Sequence, residues 1–181
     1  MGILSHPHVK TAAHRRLHEA LEHYAASHQH RENIRMHLVC VPVIFTASLI
    51  LLWRLLGGQG LSSEPGLGVW MLPGGMVTLA VLAVYARFSL RVLGVMAVWA
   101  LASLALMFVM LGLNWPVTPM MLAAFVVAWV GQVVGHRIEG RKPAFLDDLR
   151  QLLIGPLFVL VELFPAMRDW LLKQDEPTER S

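Results

Sequence analysis

The segment Val92–Leu113, with the sequence VLGVMAVWALASLALMFVMLGL, decides the fold class because it contains no charged residue. A helix needs about 20 predominantly apolar residues to cross the hydrocarbon core of a bilayer. Three more segments reach or approach that length, namely Leu38–Leu56, Val69–Ala86 and Val117–Gly135. The 181-residue chain is 56% hydrophobic and only 15% charged, whereas soluble domains are about 25% charged. The sequence therefore predicts an all-α, polytopic membrane helical bundle with about four transmembrane helices.

Two shorter segments flank the predicted spans. In Thr11–Ser27, apolar residues recur every three or four positions, which predicts an N-terminal amphipathic helix on or beside the membrane. The apolar run Leu152–Pro165 is too short to span and contains Glu162, so we predict a re-entrant or interfacial helix there. The expected organisation is a flexible segment over residues 1–13, a single integral membrane domain over 14–172 and a polar tail over 173–181.

Lysines and arginines in short connections predict the orientation in the membrane. They lie before the first span, between the second and third, and after the fourth, whereas the other two connections contain none. This alternation predicts that both termini are cytoplasmic. Arg54, at the far end of the first span, is the exception, and we expect it to snorkel outward. The short loops favour the bacterial inner membrane, or the endoplasmic reticulum for a eukaryotic source. Because the basic residues form no single stripe, we expect no nucleic-acid partner.

Polar residues gather in two segments that this topology puts at the same membrane depth. His28 and His37 lie at the cytoplasmic start of the first span, and Gln132, His136 and Glu139 lie at the cytoplasmic end of the fourth. On a helix, Gln132 and Glu139 share a face with His136, since they are four and three residues away. Imidazoles with a carboxylate or a further imidazole bind ferrous iron, zinc or copper. The residues therefore predict a metal site at the cytoplasmic face.

Each histidine near the first span has a polar neighbour one helical turn before it. Tyr24 precedes His28 and Asn33 precedes His37, each by four positions, and such neighbours commonly orient metal-binding imidazoles. We also expect Asn33 to cap the first span. His30 could replace or supplement His28, although an exposed turn position is expected for it. Taken singly, each of these residues could also be a solvated side chain at the interface.

Two segments resemble the signatures of the fungal and bacterial 2-hydroxy fatty acid dioxygenase family. They are Tyr24–His37, YAASHQHRENIRMH, and Trp129–Ala144, WVGQVVGHRIEGRKPA. They occur in the same order as in the family, with the expected number of hydrophobic segments between them. Leu146–Leu149 and Leu152–Leu157 resemble the stretch that closes the family's domain. The resemblance covers roughly residues 14–168, with Cys40 where the family often has glycine.

The resemblance implies a non-haem Fe(II)-dependent dioxygenase that carries out alpha-oxidation of 2-hydroxy fatty acids, shortening them by one carbon. Dioxygen would be the co-substrate, and the partners would be a long-chain 2-hydroxy fatty acid and membrane lipid, with a homo-oligomer left open. Residues 14–172 would then form the catalytic domain. The implied metal ligands are His28, His37 and His136, with His30 or Glu139 as a fourth; the supporting residues are Tyr24, Asn33 and Gln132; and the residues that would neutralise the substrate carboxylate are Arg137, Arg141 and Lys142.

Three other functions also fit these residues. A zinc-dependent membrane lipid hydrolase would use the same ligands, with Glu139 as its general base. A haem-binding electron carrier would use His37 and His136 as axial ligands. A non-catalytic lipid-binding membrane module would need no metal, and its histidines would only solvate the interface.

Overall fold

A computed structural model of the chain describes residues 12–56, 72–143 and 150–172. The predicted tail and most of the predicted N-terminal segment lie outside the described residues, as does the stretch Leu146–Leu149. The described residues form helices and contain no strand, which confirms the all-α prediction. The helices are α1 (Ala12–Ala26), α2 (Arg31–Leu56), α3 (Leu72–Ala86), α4 (Leu90–Gly112), α5 (Val117–Glu139), α6 (Gln151–Leu163) and α7 (Pro165–Leu172).

Three helices, α2, α4 and α5, are long and apolar enough to cross a membrane. Helix α3, within the second predicted span, has 15 described residues and is shorter. The chain bends by 119° between helices α6 and α7, so the two helices together form either a broken span or a re-entrant segment. The bend lies at Phe164, with φ −125° and ψ 85°, because a residue before proline is disfavoured in the helical conformation. A helical membrane bundle with three or four spans is therefore confirmed.

Helices α2 and α5 pack against each other in antiparallel directions over most of their length, and small residues on α5 permit this close approach. A Cβ added to Gly131 would lie 2.6 Å from Cys40 Sγ, and one added to Gly135 would collide with Asn33 Oδ1. Small residues at helix interfaces commonly let backbones approach in membrane proteins. The consequence for the site is that the start of α2 lies beside the end of α5.

At the other end of this pair, the prediction for Arg54 is wrong. The side chain is only 6% exposed, and its Nε donates to Thr118 Oγ1 at 3.3 Å. The first turn of α5 covers the last turn of α2, so the guanidinium is enclosed by protein instead of reaching outward. Buried arginines are tolerated where hydrogen bonds replace those lost from water.

Helix α1 covers one side of the bundle by packing on α6. Its apolar face, which includes Leu17, Leu21 and Tyr24, is buried in a cluster with Leu157 and Phe158 of α6. The amphipathic pattern predicted for this segment is thus confirmed as a packing face. The close packing of α1, α6 and the α2–α5 pair surrounds the polar residues at the start of α2.

Candidate metal centre

Three histidines from separate parts of the chain converge at the start of α2. His28 lies in the turn after α1, His37 in the second turn of α2 and His136 in the last turn of α5. They are 3%, 1% and 4% exposed, and each offers a nitrogen within 4.8 Å of those of the other two. The ring centroids are 4.2 to 5.0 Å apart. The structure therefore brings together the three ligands that the family resemblance implies.

Backbone hydrogen bonds determine which nitrogens of two rings are available. His28 Nδ1 lies 2.7 Å from Tyr24 O, and His37 Nδ1 lies 2.9 Å from Asn33 O. Since a carbonyl oxygen only accepts, both Nδ1 atoms carry the proton and both Nε2 atoms keep a lone pair. Those two Nε2 atoms are 2.9 Å apart. Burial lowers the pKa of His28, so a proton shared between the lone pairs is disfavoured.

The residues therefore fit a metal ion. The two Nε2 lone pairs of His28 and His37 face each other at 2.9 Å with no proton to share, and a cation that both nitrogens bind would satisfy them. His136 Nδ1 is buried and has no hydrogen-bond partner among the described residues, so the third ring also has a free nitrogen. Three neutral imidazoles suit iron, zinc or copper. His28 contacts the rings of both His37 and His136, and the centroids of those two rings are only 5.0 Å apart. A haem plane therefore does not fit between His37 and His136.

Glu139 is near this cluster but does not belong to it. Its Oε1 accepts from the backbone N–H of Gln29 at 2.6 Å and of His30 at 3.4 Å, and its Oε2 accepts from Asn33 Nδ2. The carboxylate therefore ties the turn that carries His28, and the first turns of α2, to the end of α5. This explains how His28 is held in place, and the group of close metal-binding atoms contains the three histidines without Glu139.

His30 has the exposed turn position expected for it, whereas the capping position predicted for Asn33 is wrong. His30 is exposed, and its Nδ1 accepts from the backbone N–H of Glu32 at 3.2 Å, so its ring caps α2 instead of joining the cluster. The prediction that Asn33 caps this helix is wrong, because α2 already begins at Arg31. Asn33 is fully buried against Gly135 and donates to Glu139. It supports His37 through its backbone carbonyl.

Two other predicted supporting residues border the cluster. The Tyr24 ring stacks on His28 with centroids 4.2 Å apart and an interplanar angle of 9°. Burial raises the pKa of the Tyr24 phenol, so the hydroxyl remains protonated. Gln132 is 6% exposed, and its Nε2 has no hydrogen-bond partner among the described residues. Both side chains line the cavity that adjoins the histidines.

This cavity is largely apolar and has a volume of about 330 Å³. Its wall runs along α2 from His37 to Leu52 and along α5 from His136 to Phe125, and α6 forms another side. From His37 to Leu52 the helix advances about 22 Å. One leaflet of a bilayer's hydrocarbon core is about 15 Å deep. The cavity wall is thus long enough for a long acyl chain that begins at the histidines.

The basic residues predicted to bind substrate lie outside this cavity. Arg137, Arg141 and Lys142 are exposed, and none of them lines it in the part of the chain that the structure describes. Arg141 Nη1 donates to Ala26 O at 2.8 Å, so this side chain caps the end of α1. The three residues therefore form a basic surface near the cluster and not a wall of the pocket.

Sequence reasoning missed two polar residues of the cavity, Ser48 on α2 and Gln151 on α6. Gln151, at the start of α6, is 7% exposed, lines the cavity and lies with its Nε2 3.0 Å from His23 Nδ1. It precedes a run that hydropathy identifies only as apolar, and His23 is far away in sequence. The available signal was that Gln151 is a lone neutral polar residue at the start of that run.

Comparison with known proteins gives a family but no individual relative. No curated protein and no solved structure matches the chain. The family described as 2-hydroxy-palmitic acid dioxygenase Mpo1-like matches residues 14–167. This region includes both polar segments, all three clustered histidines and the cavity wall. The chain therefore belongs to the Mpo1-like family.

Proposed function

We propose that the chain is an Fe(II)-dependent dioxygenase that shortens long-chain 2-hydroxy fatty acids by one carbon. The observation that carries this proposal is the direct connection between a buried three-histidine cluster and a long apolar cavity. A fatty acid has the matching division into a polar head and an apolar chain. The family description supplies the substrate class and the type of reaction.

His28, His37 and His136 would hold the iron. Bound iron would supply the redox chemistry with dioxygen, for which amino-acid side chains have no equivalent. The chain's own contribution is to present neutral imidazoles in fixed orientations: the carbonyls of Tyr24 and Asn33 hold the Nδ1 protons of His28 and His37. Three neutral ligands leave the charge of a divalent cation uncompensated, which favours binding of a carboxylate beside it.

The surrounding side chains would position the substrate and exclude water. The apolar cavity would hold the acyl chain, with Phe125 and Trp129 along one wall. Gln132, one helical turn before His136, has an unpartnered Nε2 among the described residues and would donate to the carboxylate. Tyr24 would cover one face of His28.

The basic surface supports a cytoplasmic location for the metal centre. Arg137, Arg141 and Lys142 follow the fourth predicted span, where positive charge marks the cytoplasmic side. These exposed residues would attract an anionic head group towards the entrance from the membrane. Both termini would then be cytoplasmic.

A zinc-dependent hydrolase is the weaker alternative. It would need a general base beside a metal-bound water, and Glu139 was the candidate. Both of its oxygens accept hydrogen bonds from the turn after α1 and from Asn33. Because these hydrogen bonds already hold both oxygens, Glu139 is better suited to a structural role than to accepting a proton from a metal-bound water.

The test is metal content in the full chain, purified in detergent without chelators. Elemental analysis should find near-stoichiometric iron in the wild type and little in His37→Ala or His136→Ala. His18→Ala is the matched control, because His18 is only half-buried and pairs with Glu22 outside the cluster. The iron-loaded protein should consume dioxygen when 2-hydroxypalmitic acid is added. Zinc as the only metal supporting activity would favour the hydrolase, and no metal after anaerobic reconstitution would refute the proposal.

A further inference from the structure

Two buried carboxamides in the cavity wall each leave one polar atom without a hydrogen-bond partner among the described residues. These atoms are the donor Nε2 of Gln132, on α5, and the acceptor Oε1 of Gln151, on α6. Buried polar atoms in native proteins are nearly always paired, so an unpaired one calls for an explanation. Here one spare donor and one spare acceptor border the same cavity as the histidine cluster.

The hydrogen bond to His23 determines which atom of Gln151 remains spare. Gln151 Nε2 lies 3.0 Å from His23 Nδ1, so the amide nitrogen is used and the carbonyl oxygen is left over. His23 lies on α1 next to Tyr24, and a Cβ added to Gly155, one turn after Gln151, would lie 3.0 Å from the Tyr24 hydroxyl. Tyr24 stacks on His28. Gln151 therefore borders the cavity near the histidines, where the head group of a fatty acid would lie.

We propose that Gln151 accepts a hydrogen bond from the 2-hydroxyl of the substrate while Gln132 donates to its carboxylate. This inference rests on the proposed function and names the residues that would recognise its substrate. A carboxylate only accepts hydrogen bonds, and a hydroxyl is the one group of the head that can donate to a carbonyl. An unsubstituted fatty acid has no such donor and leaves Gln151 Oε1 unpaired. Sites built to pair with a hydroxyl reject analogues that lack it.

A fixed acceptor also discriminates between enantiomers. The acyl chain occupies the apolar cavity and the carboxylate lies at the histidines, so only one configuration at C2 directs the hydroxyl towards Gln151. His23 is a positioning residue in this scheme, because it holds the carboxamide in one orientation. The inference therefore predicts selectivity for a 2-hydroxyl and for one enantiomer, both through the same residue.

The test measures equilibrium binding to the iron-loaded full chain in detergent without dioxygen, so that no turnover occurs. The probes are the two enantiomers of 2-hydroxypalmitic acid and palmitic acid, each displacing a fluorescent fatty acid. The wild type should prefer one hydroxy enantiomer over palmitic acid by roughly tenfold to a hundredfold. Gln151→Met, similar in size but without the acceptor, should lose most of both preferences. Gln151→Glu keeps an acceptor and should retain the preference for the 2-hydroxyl. It should bind 2-hydroxypalmitic acid and palmitic acid more weakly than the wild type does, because its charge repels their carboxylates.

His23→Leu gives an independent measurement, since it frees the carboxamide without removing it and should reduce both preferences partially. Iron content and thermal stability of each variant show whether the fold is intact. If a folded Gln151→Met protein keeps the wild-type preferences, the inference is overturned; if it does not fold, unchanged preferences in His23→Leu overturn it. A wild type that shows both preferences but does not shorten 2-hydroxypalmitic acid with dioxygen would refute the proposed function and leave the inference standing.

Discussion

Replacing Glu139 separates two roles that a carboxylate near a metal centre can have. As a positioning residue, it holds the turn of His28 and the side chain of Asn33 through hydrogen bonds to both oxygens. As a metal ligand, it would bind the cation directly. Glu139→Ala removes the carboxylate in either case, whereas Glu139→Gln keeps the shape and one carbonyl oxygen. The two variants therefore have different expected effects under the two roles.

The expected cost of each substitution follows from the hydrogen-bonding groups that it leaves without a partner. In Glu139→Ala, the fully buried Asn33 carboxamide loses its acceptor, whereas water can replace the bond to the exposed Gln29 N–H. Hydrogen bonds to charged groups contribute about 1.5–3 kcal/mol. Because water compensates at Gln29, most of this stabilisation is lost at the Asn33 carboxamide. In Glu139→Gln, rotation of the Asn33 carboxamide would direct its Oδ1, unpartnered among the described residues, to the new amide. This exchange costs only about 1 kcal/mol.

The assay is anaerobic competition for ferrous iron with a chelator of known affinity. We expect Glu139→Ala to weaken iron binding roughly tenfold to a hundredfold, as is typical for residues that orient metal ligands. Glu139→Gln should weaken it no more than about fivefold. Glu162→Ala, an exposed carboxylate on α6, is the control and should change nothing. If the glutamine and alanine variants lose iron affinity equally, the carboxylate is itself a ligand and the positioning role is refuted.

Two further predictions concern the α2–α5 interface and the cavity. Gly135→Ala would bring a Cβ against Asn33 and should destabilise the protein by about 1–3 kcal/mol, measured as a lower melting temperature in detergent. Gly112→Ala, with no atom within 4 Å of the added Cβ, is the control; equal effects would show that the interface is not tight. Ser48→Phe should fill the cavity away from the histidines and shift binding towards shorter acyl chains. The matched Val43→Phe, on an exposed part of α2, should not, and an unchanged chain-length profile in Ser48→Phe would contradict the assignment of the cavity to the acyl chain.

The sequence by itself determined the features that depend on neighbouring residues. Hydropathy identified α2, α4 and α5, the three described helices long and apolar enough to span, since each needs only a continuous apolar run such as Val92–Leu113. Helical periodicity predicted the buried face of α1 and the pairing of Tyr24 with His28 one turn later. The family resemblance added the three histidines as one ligand set. All of these signals lie within a few turns of one helix or within a short motif.

Only the tertiary structure decided how the remaining polar atoms pair. Glu139 bonds to Gln29 and Asn33 across more than a hundred residues, and Gln151 reaches His23 over a separation of 128. Arg54 is buried because the start of α5 covers it. Hydropathy and periodicity describe which face of a helix is apolar, but they contain no information on which other helix covers that face or at what height. A polar atom's partner depends on both, so the distinction between ligand, cap and positioning residue arises only when the helices pack.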